Sequence, residues 1–276
     1  MPEAQRAVRA SSFGSVAGAY DRYRPSPPLE AVDWVLGSEV GVAADIGAGT
    51  GALTRQLARR AGRVIAVEPD ERMLEVLARR SPDIPALRSW AESLPVRSGC
   101  LDAVTVSSAW HWMEPERTLA EVGRVLRPGG VFGVIWNGAD RSEGWVGELL
   151  GPRDPSPGDR DLRSRHRFEL PPGAPFTGVE RTVLTWSMVM DRHQLVGLAG
   201  TYSSMITMAP DQRDQELARV QAMAASLAGD GVIELPMGCR CWRAVRARCL
   251  PAGRASSGVV RPRPGTRQPA TMPHAE

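Results

Sequence analysis

The chain has 276 residues, 42% of them hydrophobic and 24% charged, with a formal net charge of +3. That composition excludes a disordered chain and leaves room for one large domain or two small ones. All 34 basic residues are arginine, beside abundant Ala, Gly and Pro, as a GC-rich coding sequence would give. The six arginines and one acid beyond Ala244 contribute +5, so residues 1–244 carry −2. A folded part of that charge excludes a basic footprint for nucleic acid.

No run reaches the ~18–20 apolar residues of a membrane span, and Met1-Pro2-Glu3 does not open a signal peptide. Cys100, Cys239, Cys241 and Cys249 show neither paired zinc spacing nor a secreted disulfide framework. The expectation is a cytoplasmic protein, monomer or homodimer, with no metal, nucleic-acid or membrane partner.

In chain order, residues 1–30 form an N-terminal segment and 31–244 the main domain, with an insertion at 137–178. The tail, 245–276, lacks pattern and is expected to be disordered, the product of a frameshift or read-through. Short apolar runs predict strands at Val42–Ile46, Arg63–Val67, Ile84–Arg88, Leu101–Ser107 and Gly130–Trp136. Most are Val/Ile/Ala runs, as in strands covered on both faces. Helical stripes lie between them. Leu53, Leu57, Ala58 and Ala61 follow Thr50; Leu74, Leu77 and Ala78 follow Asp70, a suitable N-cap. Leu119, Val122, Val125 and Leu126 end at Arg127-Pro128-Gly129-Gly130, a cation, a proline stop and turn glycines. This alternation is that of a parallel α/β sheet.

The stretch 137–178 is poor in apolar periodicity and reads as a surface insertion. Val179–Met190 predicts a strand, and Leu217, Val220, Ala224 and Leu227 one helix face. Val232–Trp242 predicts a last strand interrupted by Pro236. Cys239 and Cys241 share one face of it and suit apolar packing.

The chemistry is concentrated at Val42-Ala-Ala-Asp45-Ile-Gly47-Ala48-Gly49-Thr50-Gly51. Glycines between a buried strand and a helix let the backbone turn tightly and approach a ligand. Glu68 ends the next strand, placed to accept hydrogen bonds from ribose hydroxyls. The spacing Gly47-x-Gly49-x-x-Ala52, with Glu68 beyond, also satisfies the dinucleotide fingerprint, so the glycines alone leave a nicotinamide-dependent oxidoreductase open.

Asp45-Ile-Gly-Ala-Gly-Thr-Gly51 resembles the first motif of class I S-adenosylmethionine-dependent methyltransferases. Ala91-Glu92-Ser-Leu-Pro95 looks like that family's adenine-side loop. Asp102–Ser108 is similar to its fourth strand, and Leu126–Gly130 to the turn into its fifth. The stretch Ala109-Trp-His-Trp112, with Phe13-Gly and Ala19-Tyr-Asp-Arg-Tyr-Arg-Pro25, resembles the small-molecule branch called methyltransferase type 11, to which trans-aconitate methyltransferase is related.

The resemblance implies a Rossmann-like, doubly wound α/β fold with a seven-stranded sheet, mostly parallel with an antiparallel last strand. It implies S-adenosyl-L-methionine as cofactor and a small-molecule acceptor. Gly47, Ala48, Gly49 and Gly51 would pass under the methionine, Asp45 would steady the loop and the ammonium, and Glu68 would hold the ribose. Pro69 and Met73 would lie against the adenine, with Ala91, Glu92 and Ser108 completing the site. Trp90 replaces the Asp that many relatives carry before Ala91. The same resemblance makes the N-terminal segment a lid bearing Tyr20 and Tyr23, with Arg22 and Arg24 placed to bind an acidic substrate.

Methyl transfer needs a base only when the nucleophile must lose a proton. His111, after the fourth strand, is the expected base and Tyr20 the second catalytic candidate. His166 and His193 are read as loop residues, and His274 lies in the tail. A non-catalytic, cofactor-binding member of the family is the remaining alternative.

Overall fold

A computed structural model describes residues 13–150, 168–229 and 231–248. The seven strands are β1 (Val40–Ile46), β2 (Ala61–Val67), β3 (Ala86–Leu87), β4 (Leu101–Ser107), β5 (Leu126–Ala139), β6 (Phe176–Met190) and β7 (Ile233–Arg246). They form one sheet in the order β3-β2-β1-β4-β5-β7-β6. Pairing is parallel from β3 to β5, and β7 runs antiparallel to both β5 and β6.

The helices are α1 (Ala17–Tyr23), preceded by a 3₁₀ turn at Phe13–Val16, then α2 (Leu29–Leu36), α3 (Ala52–Leu57), α4 (Glu71–Arg80) and α5 (Pro115–Val125). After β5 come α6 (Gly144–Leu149), α7 (Arg192–Gly200), α8 (Ser203–Ile206) and α9 (Pro210–Ala228).

Side chains alternate across the sheet and build two cores. Ala44, Ile46, Val104, Val106, Phe132 and Val134 pack with Leu119 and Val122 of α5. Ala43, Ala103, Ile135, Cys239 and Cys241 pack on the other face with α2 and with Leu53 and Leu57 of α3. The two thiols share that face as expected, 3.8 Å apart and fully buried. Helix α2 sits so close to β5 that a Cβ on Gly133 would lie 2.1 Å from the Val35 side chain. Glycine there is a packing requirement.

Capping follows local chemistry. Asp70 accepts from the Arg72 N–H at 3.0 Å and starts α4, while Glu114 caps α5 with Pro115 in its first turn.

Several elements depart from the sequence reading. Ala61 begins β2 rather than ending α3, which is six residues long. β3 is reduced to two residues. The 137–178 stretch contains the end of β5, helix α6 with Val146 and Leu149 fully buried, and Phe168 in the main core. It ends in the first residues of β6, and only 151–167 of it, His166 included, lies outside the described residues, as do Cys249 and His274. His193 belongs to helix α7, not to a loop. Leu227 is 43% exposed, off the buried Val220–Ala224 face of α9.

Pro236 does not interrupt β7. It stays paired with Ser187 of β6, and on the other side its carbonyl accepts from the Asp140 N–H at 2.8 Å, just past the last β5 pair Ala139–Met237. The missing proline N–H therefore costs only the reciprocal bond at the end of the ladder. β7 also continues to Arg246, opposite Phe176, three residues past Arg243 and into the stretch expected to be tail. Residues 249–276 lie outside the described residues.

A third cluster joins α6, α7 and α9 to the ends of β6 and β7 through Val146, Leu149, Leu195, Leu198, Val220 and Met237. It forms a cap beside the carboxyl edge of the sheet, the edge at which open α/β sheets hold ligands.

Candidate functional site

The topology places the loops after β1, β2 and β4 side by side. After β1 the chain takes three left-handed turns, at Gly47 (φ 65°), Gly49 (φ 56°) and Gly51 (φ 88°), a conformation that side chains resist. The loop is pinned to β2 by the Ala48 N–H donating to the Val67 carbonyl at 3.0 Å. A Cβ on Gly47 would meet Ala109 at 2.7 Å, and one on Gly51 would meet Leu77 at 3.0 Å. A Cβ on Gly49 would meet nothing within 4 Å. Space is therefore kept open above Gly49 alone.

Two hollows adjoin across this loop. The larger lies over the ends of β2 and β4, and Gly47, Gly49, Glu68, Pro69 and Met73 line it, with Ala91, Glu92 and Ser108 opposite. The smaller is lined by Asp45, Ala48 and the loop on one side, and by Arg24, Asn137, Leu198, Tyr202 and Met237 on the other. Tyr20, Gly47, Gly49, Ser107 and Ser108 border both. Ser108 is the one non-glycine among the described residues with positive φ, 52°, a backbone strain of about 1–2 kcal/mol stored at the junction.

The carboxylates of the site are held in unlike ways. Glu68 Oε2 accepts from the Gly49 N–H at 2.8 Å and Oε1 from the Asp70 N–H at 2.9 Å. Burial raises its pKa, and those two N–H groups oppose the rise. Asp45 is 1% exposed; its Oδ2 accepts from the Thr54 hydroxyl at 2.6 Å, and its Oδ1 has no hydrogen-bond partner. Burial raises the Asp45 pKa to about 7, with the nearby Glu68 charge adding to the rise against the Thr54 bond. A buried carboxylate oxygen without a donor is costly unless a ligand supplies one. A cationic group fits there, whereas the pyrophosphate of a dinucleotide would meet a like charge.

The N-terminal segment roofs both hollows. Phe13 packs edge-on to Tyr20 and Trp112, with ring centres 5.8 and 6.0 Å apart. Arg24 donates to Thr201 through Nε and Nη2, and the Tyr23 hydroxyl lies 3.2 Å from His193 Nε2. Asn137 Nδ2 donates to the carbonyls of Pro25 and Ser26 at 3.3 and 3.2 Å, while its Oδ1 accepts from Trp186 Nε1 at 3.1 Å.

Of the expected site residues, Gly51 borders neither hollow and serves to shape the turn. His111 also borders neither. It sits in the three-residue 3₁₀ turn Trp110–Trp112, whose tight winding sends Trp110 into the core and leaves His111 exposed against Trp112, 4.4 Å between centres. Trp90 is 54% exposed at the rim of the larger hollow. Glu92 Oε1 accepts from the Glu114 N–H at 2.7 Å and so ties the Ala91–Pro95 loop to the start of α5. Arg22 is exposed and borders neither hollow. Phe13, quoted in sequence only as part of a motif, belongs to the roof, and sequence reasoning missed Asn137, Leu198, Tyr202 and Met237 of the smaller hollow. Only Asn137, directly after the apolar run of β5, carried a positional signal.

Comparison with known proteins agrees with this geometry. The model of the family described as "Methyltransferase domain" matches residues 44–134. An uncharacterized methyltransferase of Mycobacterium tuberculosis is 42% identical over 242 residues, covering 86% of this chain and 96% of its own. An uncharacterized methyltransferase-like protein of Schizosaccharomyces pombe is 27% identical over 229 residues, covering 80% and 88%. A solved structure described as a candidate type II methyltransferase, from Anaeromyxobacter dehalogenans, shares the fold with a TM-score of 0.60 at 23% identity, covering 81% of this chain and 98% of its own. With the glycine loop, the paired acids and the sheet order in place, the chain belongs to the class I S-adenosylmethionine-dependent methyltransferases.

Proposed function

We propose that the enzyme methylates a small-molecule acceptor that enters the smaller hollow from the side of Leu198, Tyr202 and Met237. When bound, S-adenosylmethionine supplies a methyl group already attached to a good leaving group, so the chain needs mainly to hold the two partners in line and exclude water. Positioning of that kind contributes on the order of 7–11 kcal/mol.

The residues divide the task. Glu68 accepts hydrogen bonds from the ribose hydroxyls with lone pairs not used by Gly49 and Asp70. Asp45 Oδ1 receives the ammonium of the methionine end, which removes the cost of its orphaned burial. The open space at Gly49 admits the ligand against the backbone, with Gly47 and Ala48 beside it. Pro69 and Met73 flank the purine, and Ala91 and Glu92 face its edge. Tyr20, bordering both hollows, orients the acceptor at the junction, and closure of its segment keeps the junction dry. No proton step is assigned to His111, which borders neither hollow.

The observation that carries this reading is the orphaned Oδ1 of a buried Asp45 in a glycine loop whose next strand ends in Glu68. It is tested by incubating the enzyme with radiolabelled methyl donor and a metabolite extract. Label in a small-molecule fraction, identified by mass, is the expected result; label confined to macromolecules would refute the small acceptor. Calorimetry with S-adenosylhomocysteine against NAD supplies the companion measurement, binding of the first alone being expected.

A further inference from the structure

The smaller hollow is bordered by two charged side chains, Asp45 and Arg24. Each lacks an ionic partner among the described residues: Asp45 Oδ1 has no donor, and the recorded bonds of the Arg24 guanidinium go to Thr201. Opposite charges sharing one hollow and left unpaired match a ligand that carries both charges itself.

Arg24 is held with care. Its Nε donates to the Thr201 hydroxyl at 2.9 Å and its Nη2 to the Thr201 carbonyl at 3.0 Å. Thr201 is fully buried and anchored in turn to the Leu198 carbonyl at 2.6 Å. The guanidinium carbon lies 4.1 Å from the centre of the Tyr202 ring and 5.3 Å from that of Tyr20. Thr201 thus occupies the Nε–Nη2 edge of the fork and the tyrosines flank its plane. The Nη1–Nη2 end remains, and two parallel N–H groups there suit a carboxylate.

We propose that Arg24 binds the carboxylate of the cofactor's methionine end, so that Asp45 and Arg24 together clasp an α-amino acid zwitterion. The assignment rests on the placement of the ammonium at Asp45 proposed above. It moves Arg24 from a role toward an acidic acceptor to one toward the cofactor, and makes the N-terminal segment part of the cofactor site.

Isothermal calorimetry with three nucleosides tests it. S-adenosylhomocysteine carries ammonium and carboxylate, its decarboxylated analogue keeps only the ammonium, and 5′-methylthioadenosine has neither. Arg24→Gln is expected to weaken S-adenosylhomocysteine about 10- to 100-fold, the range for a lost charged hydrogen-bond pair, and to leave the other two within about threefold. Arg24→Lys, which keeps the charge but loses the fork, should fall between. Equal weakening of all three nucleosides would show that Arg24 only anchors the roof, and an unchanged S-adenosylhomocysteine affinity would remove it from the site; either result overturns the proposal. If the unaltered protein bound 5′-methylthioadenosine and the decarboxylated analogue as tightly as S-adenosylhomocysteine, the carboxylate seat would fall while the nucleoside site stood. Failure of all three to bind would overturn the cofactor placement itself.

Discussion

Glu68 reaches back from the end of one strand to the loop that follows another, its Oε2 accepting the Gly49 N–H at 2.8 Å across 19 residues of sequence. The side chain proposed to hold the ribose thus also fixes the glycine loop. With its second oxygen on the Asp70 N–H, both oxygens face backbone donors.

Glu68→Ala should therefore weaken S-adenosylhomocysteine by ~100-fold or more, since charged hydrogen bonds contribute about 1.5–3 kcal/mol each. Glu68→Gln should do nearly as badly, because its amide nitrogen would face one of two N–H donors. Titration calorimetry of both variants decides; retention of wild-type affinity by either would contradict this role.

Asp45 gives a pH dependence. With its pKa at about 7, the free protein carries the proton below neutrality and loses the charge that attracts an ammonium. Affinity for S-adenosylhomocysteine should fall about tenfold between pH 8 and pH 6, with a proton released on binding. Asp45→Asn should abolish that slope along with most of the affinity.

The same group governs stability with the opposite sense. Its folded-state pKa lies above the ordinary carboxylate value, so between about pH 4 and 7 the native state holds the extra proton and stability declines as pH rises. Above pH 7 the cost is of order 4 kcal/mol. Asp45→Asn should accordingly unfold at higher temperature than the wild type at pH 8 without ligand, and show little difference near pH 4. Thermal melts at the two pH values check it.

Gly47 and Gly49 should fail differently. Alanine at Gly47 combines φ 65° with a Cβ 2.7 Å from Ala109, so Gly47→Ala should lose about 2–3 kcal/mol of stability. Gly49→Ala has φ 56° but open space, so it should lose about 1 kcal/mol and yet bind S-adenosylhomocysteine at least ~100-fold more weakly. Melting temperature and affinity measured side by side separate the two; a stable, tightly binding Gly49→Ala would show that nothing lies over that glycine.

Asn137 joins the end of β5 to the N-terminal segment through Pro25 and Ser26 and to β6 through Trp186. Asn137→Ala should cost about 1–3 kcal/mol and speed ligand release, because the segment would lose its tie to the sheet. Limited tryptic proteolysis should cut the variant after Arg22 faster than the wild type, with or without S-adenosylhomocysteine, the Arg24–Pro25 bond being resistant. Unchanged cleavage and release rates would deny Asn137 that role.

Much of the molecule was legible from local chemistry. The Val/Ile/Ala runs of β1, β2 and β4 and the stripe of α5 read out because burial on both faces and 3.6-residue periodicity leave short-range signatures. The three glycines read out because their backbone conformations exclude other residues, and Glu68 because the spacing from loop to next strand fixes where an acid must stand. Helices α6 and α8 did not, since six and four residues hold too little periodicity to rise above an irregular stretch.

Side-chain positions beyond the loop were decided by the tertiary structure. In sequence His111 ranked ahead of Tyr20, but the winding of one 3₁₀ turn leaves the first exposed and outside both hollows while the packing of α1 brings the second to their junction. Arg24 and Thr201 are 177 residues apart, and Asn137 lies 112 from Pro25. Contacts at that separation arise from how the sheet and its cap close on each other, which no local pattern encodes. Sequence alone determined the backbone cradle and its acids, and folding decided which distant side chains complete the site.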